Sequence, residues 1–216
     1  MLLIIFLASL VLGTEAAISN RDNKCALGEI TGWNFFSSDH KHVQLRRSYN
    51  ITGGLNDSIC VKAPFRPIVY RHNNTLEKMF TYRNMSSTHK IVPGGASFWP
   101  TAKFLMEFSA MDTISTKARN PVLLNYVNST FLYAAYGYSL PAPKWKFIYC
   151  DDTCAVVEVL SKDRDMNGGR KCELWIRVGR KEKIHLSAAT EPCKTFFLSS
   201  CYTPYPTEVY IASLCE

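Results

Sequence analysis

Apolar and polar side chains alternate in short bursts along most of this chain, and each burst ends at a turn signal. A period of two places one face of a strand on a core and the other in water. The runs that fit are 41–49 (KHVQLRRSY), 57–63 (DSICVKA), 75–83 (TLEKMFTYR), 101–109 (TAKFLMEFS), 121–127 (PVLLNYV), 130–138 (TFLYAAYGY), 144–150 (KWKFIYC), 154–160 (CAVVEVL) and 171–178 (KCELWIRV). Between them stand NITGG, NNT, VPGG, LPAP and MNGG, which carry the glycines, prolines and asparagines that turns require. Two segments break the rhythm and read as helical: a short one at about 26–38, and SAATEPCKTFFLSSC at 187–201. The tail TEVYIASLC, 207–215, reads as a returning strand. Many short strands in series predict an all-β, antiparallel fold. Strands followed by a helix favour an up-and-down barrel with the C-terminal helix packed outside it. About eight strands leave an interior wide enough for one small ligand.

The alternation also assigns faces. On 171–178, Glu173, Trp175 and Arg177 share a side. On 154–160, Ala155, Val157 and Val159 share one, and on 144–150 Trp145, Phe147 and Tyr149 do. On 101–109, Phe104, Met106 and Phe108 oppose Leu105 and Glu107. With the aromatic faces inward, the cavity holds many rings and few charges. A buried carboxylate is costly unless paired, and a small cationic ligand would supply the partner. Each ring face would add attraction of ~0.5–2 kcal/mol once water is excluded. Glu173 beside Trp175 is therefore the candidate half of an amine cage. The plainer alternative turns Glu173 outward to a surface base such as Lys171 or Arg177.

Residues 2–13, LLIIFLASLVLG, form an apolar run followed by small residues. That pattern reads as a secretory leader with cleavage near Ala17, leaving one domain over 18–216. No later segment has the length and apolarity of a membrane span. Eight cysteines behind a leader (Cys25, Cys60, Cys150, Cys154, Cys172, Cys193, Cys201 and Cys215) read as four disulfides, with the pairing left open by spacing. Zinc is disfavoured because only Cys150 and Cys154 sit at ligand spacing. Sequons at Asn50, Asn56, Asn73, Asn84 and Asn128 predict a glycoprotein with those side chains in solvent.

The formal charge of +7 raises the question of a polyanion. A secreted glycoprotein makes nucleic acid an unsuitable partner, and the basic stretch GRKEK at 179–183 reads as a solvated loop. No nucleophile elbow, HExxH or phosphate loop is present, and no pair of acids is singled out for glycoside chemistry. His40 and His42 share a strand face but lack a third ligand in sequence, and read as exposed side chains. The reading is therefore not an enzyme, with no metal, no cofactor and no membrane contact, working as a monomer.

CAVVEV at 154–159, CELWIRV at 172–178, PCKTFF at 192–197 and EVYIASLC at the end together resemble the tick histamine-binding family of salivary lipocalins. VQLRRSYN, SICVKA and TLEKMFTYRNMSS are similar to the early strands of that family in the same order. The resemblance runs from about Val43 to Cys215. It implies an eight-stranded lipocalin barrel that captures small host mediators at a feeding site. It also implies two disulfides, Cys60–Cys215 and Cys154–Cys193, with Cys25, Cys150, Cys172 and Cys201 left undecided. The family's amine signature is Cys-Asp-aliphatic, then Glu-Leu-(Trp or Tyr), then Cys. Here Cys154, Val156, Glu173, Leu174, Trp175 and Cys193 match, while Ala155 stands where the aspartate belongs. Loss of a charged acceptor would weaken amine binding by ~1.5–3 kcal/mol. Glu107 or Asp112 are candidates to replace it.

Three functions are in view. The first is capture of histamine or a related biogenic amine, with Glu173 as counter-ion and Trp145, Trp175, Tyr149, Phe147, Phe108 and Ala155 around it. The second is capture of an apolar mediator (a leukotriene, fatty acid or sterol), with Arg47 or Arg177 as the base for a lipid carboxylate. The third is a protein-binding inhibitor of host immunity or haemostasis, acting through inserted loops such as CVKAPFRPIVYRHNN at 60–74.

Overall fold

The computed structural model describes residues 23–51, 58–85, 99–110, 123–160, 169–180, 190–201 and 207–215. Ten strands and four short helices run in the order α1 (Lys24–Leu27), α2 (Gly32–Ser37), β1 (Lys41–Arg47), β2 (Ile59–Ala63), β3 (Ile68–Tyr70), β4 (Thr75–Arg83), β5 (Thr101–Ser109), β6 (Tyr126–Ala135), β7 (Lys144–Cys150), β8 (Cys154–Val159), β9 (Cys172–Val178), α3 (Glu191–Ser200), β10 (Thr207–Glu208) and α4 (Ala212–Cys215). Strands β1, β2, β4, β5, β6, β7, β8 and β9 pair antiparallel in that order, and β9 returns to β1 to close an eight-stranded barrel. Closure removes the open edges of the sheet. β3 folds back on β4 and β10 lies on β1, both outside the ring.

The runs read as 121–127 and 130–138 are one strand, β6, because the alternation continues through the polar pair Asn128-Ser129: Val127 and Ser129 are buried, Asn128 and Thr130 exposed. The inserted loop at 64–74 contains β3, and the tail forms two residues of strand and then α4. The N-terminal segment is two helices rather than one, since Gly28 terminates α1 in the left-handed region (φ 77°) that favours glycine.

Two apolar clusters flank the barrel wall. The outer one lies under α3 and includes Val43, Leu45, Tyr149, Leu174, Ile176 and Phe197. Cys154–Cys193 and Cys172–Cys201 fasten α3 to β8 and β9 at its two ends. Cys60–Cys215 ties β2 to α4, and Cys25–Cys150 ties α1 to β7. The two bridges implied by family resemblance are thus present, and the four cysteines left open pair as Cys25–Cys150 and Cys172–Cys201.

The inner cluster is aromatic, and α2 occupies the floor of the barrel. A capping box between Thr31 and Asn34 starts this helix, and it buries Trp33, Phe35 and Phe36. Gly32 is required at its first position, because a Cβ there would stand 2.4 Å from a ring carbon of Phe147. The ring of Phe36 contacts His42, Phe80, Trp145, Phe147 and Trp175.

Barrel bases cap the carbonyl end of α2. Arg177 donates to the Asn34 carbonyl at 2.8 Å, His42 Nε2 to the Phe35 carbonyl at 2.8 Å, and Lys78 Nζ to the Phe36 carbonyl at 3.4 Å. These carbonyls are the groups a helix terminus leaves unpaired. His42, read from sequence as exposed, is fully buried; its Nδ1 accepts from Lys78 Nζ at 3.0 Å. Burial holds His42 well below its usual range and pushes Lys78 down to about 7. His42 is therefore held neutral, and Lys78 sheds its proton from about pH 7 upward.

A prediction follows from the sign. Between about pH 7 and the ordinary lysine range, the unfolded chain carries a proton on Lys78 that the folded barrel sheds. Stability should therefore rise with pH across that window, by an amount on the order of a few kcal/mol. Lys78→Met should flatten the rise when denaturant midpoints are measured from pH 7 to 9.5. An unchanged slope would remove Lys78 as its source.

Candidate functional site: a cavity at the barrel mouth

Above the floor, the barrel encloses a cavity of about 440 Å³. This lies within the range of small-molecule sites. Its sides are mainly apolar and aromatic, with Phe80, Trp145 and Trp175 at the bottom and Tyr138, Leu140 and Pro141 towards the rim. Trp145 and Trp175 stand 5.5 Å apart between ring centres, and Phe80 meets both edge-on.

One carboxylate, Glu173, lines this cavity. Its side chain faces inward because β9 alternates regularly there: Val157, Glu173 and Arg47 are cross-strand partners, as are Ala155, Trp175 and Gln44. Directly paired residues share a face. Glu173 is 6% exposed. Its Oε2 accepts from Trp175 Nε1 at 2.8 Å, and its Oε1 accepts from the Tyr49 hydroxyl. Burial raises its pKa above the ordinary carboxylate range, against the pull of Tyr49, Trp175 and the Arg47 charge. Burial, and then the neighbouring carboxylate, push the Tyr49 hydroxyl up. A carboxylate offers about four acceptor positions, so these two donors leave room for a ligand's donor.

The sequence-predicted residues divide by height and by face. Glu173, Trp175 and Trp145 line the cavity. Phe147 and Phe108 point inward but lie at floor level, packed on Phe35 and Phe36 and on Trp33 respectively. Ala155 is fully buried on the inner face, beside Trp175, without reaching the cavity surface.

Two assignments are corrected. Tyr149 lies on the outer wall against Phe196, at 4.9 Å, because a bulge between Phe147 and Tyr149 puts Ile148 and Tyr149 on the same outer side. Glu107 is exposed on the outer face of β5, where alternation with buried Met106 and Phe108 places it. Asp112 lies outside the described residues. Of the two candidate bases, Arg177 caps α2 on the floor, while Arg47 is buried beside the cavity.

Sequence reasoning missed Gln44, Tyr49, Phe80 and Tyr138 in the lining. Phe80 was available from the alternation of β4. Tyr49 and Tyr138 close the runs read as 41–49 and 130–138, but β1 ends at Arg47 and β6 at Ala135, so strand alternation does not set the direction of either.

Among the described residues, one cluster has metal-ligand proximity: Asp151, Cys154 and Cys193. Its sulfurs are bonded to each other, and Asp151 Oδ1 accepts from the Thr153 and Cys154 amides. No helix among the described residues is long and apolar enough to cross a membrane.

A search of curated proteins finds no match. Among solved structures, the chain is similar to Japanin from Rhipicephalus appendiculatus, in an orthorhombic crystal form bound to cholesterol. That likeness has 13% identity and a TM-score of 0.46, and covers 83% of this chain and 97% of Japanin's. The model of the tick histamine binding protein family matches residues 29–216, which take in the whole barrel, its floor helix and α3. The chain belongs to the tick histamine-binding protein family.

Proposed function

We propose that this protein is secreted by the tick and sequesters a small biogenic amine of the host, histamine or a relative, in the barrel cavity. The observation that carries this reading is the inward carboxylate of Glu173, the one acid in the lining among the described residues, set beside tryptophan and phenylalanine rings at the bottom of a mainly apolar pocket. A protonated amine would take an open acceptor position of Glu173, and the rings would hold its flat body through dispersion and cation–π attraction. Export and glycosylation accompany the reading. The apolar leader and four disulfides support the first, and the exposed Asn50, Asn73 and Asn128 support the second. Asn84 is half-buried, and Asn56 lies outside the described residues.

A second reading has its own support. Glu173 already accepts from protein donors, Arg47 lies beside it, and Ala155 removes the family's second acid. A largely apolar ligand with one hydroxyl would also suit such walls. Quenching of tryptophan fluorescence separates the two. Histamine, serotonin and tryptamine should quench Trp145 and Trp175 at micromolar concentration, with calorimetry giving one saturable event. Silence toward every amine to the millimolar range, with a lipid found by native mass spectrometry, would reject the amine.

A further inference from the structure

A cation of the protein itself stands across the strand from Glu173. β1 carries a bulge between Gln44 and Arg46, which leaves Leu45 and Arg46 both on the outside and turns Arg47 inward. Arg47 is the cross-strand partner of Glu173, so the two side chains leave the sheet on the same face. Arg47 is 1% exposed. Its Nη1 donates to the Ser58 hydroxyl at 2.8 Å and to the Ser58 carbonyl at 3.2 Å, and its Nε has no hydrogen-bond partner among the described residues. Its own position is thus fixed by β2, it does not line the cavity, and its charge is incompletely matched by hydrogen bonds. Among the described residues the lining itself carries one cation, Lys144, which is exposed at the rim, where water and salt screen it. Inside the barrel such screening is weak.

We propose that Arg47 is a specificity-determining residue of the cavity: its buried guanidinium, anchored on Ser58 beside Glu173, restricts the site to ligands bearing at most one positive charge. One ligand cation is matched by Glu173. A second charge on the same small molecule finds no further acid in the lining among the described residues and meets the field of Arg47. The inference rests on the proposal that Glu173 is the ligand's counter-ion, and it adds the class that is turned away: diamines and other dications of the same shape.

The test compares 4-methylbenzylamine with 1,4-bis(aminomethyl)benzene, which share a frame and differ by one charged group. Calorimetry on the disulfide-intact chain at pH 7.5 should show the monoamine binding at least ~10-fold tighter, as expected when like charges are brought together out of water. Arg47→Gln should narrow that preference to about threefold or less, and Arg47→Lys should keep it. Arg47→Met, which matches the length of the stem without a charge, provides a second neutral variant if the glutamine protein fails to fold by near-UV circular dichroism. Equal affinity of the two amines for the wild-type protein overturns the inference alone. So does an undiminished preference in a folded neutral variant, which would assign it to desolvation of the second ammonium. Failure of both amines to bind the wild-type protein overturns the amine reading and this inference with it.

Discussion

Glu173→Gln is expected to weaken amine binding by about 2 kcal/mol or more, roughly thirtyfold. The glutamine has nearly the same shape but no charge, and its amide nitrogen would confront the hydroxyl of Tyr49 or the indole N–H of Trp175, both of which donate to the carboxylate. Wild-type protein should show the same loss in acid. Burial raises the pKa of Glu173, so affinity should fall as pH drops through a value above the usual carboxylate range. The glutamine variant should show no such fall.

Stability of the empty barrel runs the other way. The folded state holds this proton more tightly than the unfolded chain, so stability present in acid is lost as pH rises through the interval between the ordinary and the raised value. A bound amine restores it by mass action. Calorimetric titrations from pH 4.5 to 8, beside thermal melts with and without amine, check both signs. Wild-type affinity in the variant would remove Glu173 as the counter-ion.

Phe36→Ala carries the largest expected cost in stability, about 3–5 kcal/mol, in the range of buried phenylalanine deletions. The ring is fully buried, stacks on His42 at 4.5 Å and touches four further aromatic rings across the floor as well as neighbouring Phe35. Three of those rings, Phe80, Trp145 and Trp175, also form the bottom of the cavity. Removing Phe36 should therefore deepen the cavity while it weakens the fold, and bulkier aromatic amines should gain affinity relative to small ones. Guanidinium midpoints and a ligand-size series report the two effects separately. A loss under about 1 kcal/mol would mean that α2 collapses into the space.

Much of the fold was legible because alternation is local. Trp145, Trp175 and Glu173 could be placed on inner faces from their own strands, and the strand order followed from simple succession. The misplacement of Tyr149 has its physical source in a bulge. One extra residue reverses every side chain beyond it. That reversal sends Tyr149 outward, and nothing in KWKFIYC marks where the pleat slips; the bulge in β1 turns Arg47, a candidate inward base, into the barrel. His42 shows a second limit. A polar residue reads as exposed until its partner is known, and Lys78 lies 36 positions away. Glu107 is different, because its own alternation with Met106 and Phe108 already set it outside. Only the search for an acid to replace the missing aspartate at Ala155 brought it into the site.

The helix lodged in the base of the barrel has a kinetic corollary. With α2 filling one end and Cys25–Cys150 holding the adjoining α1 against the wall, a guest must depart through the entrance it used. How long it is retained is then governed by the lip around Tyr138 to Pro143, and exchanging side chains there should alter the escape rate far more than the depth of the bound well.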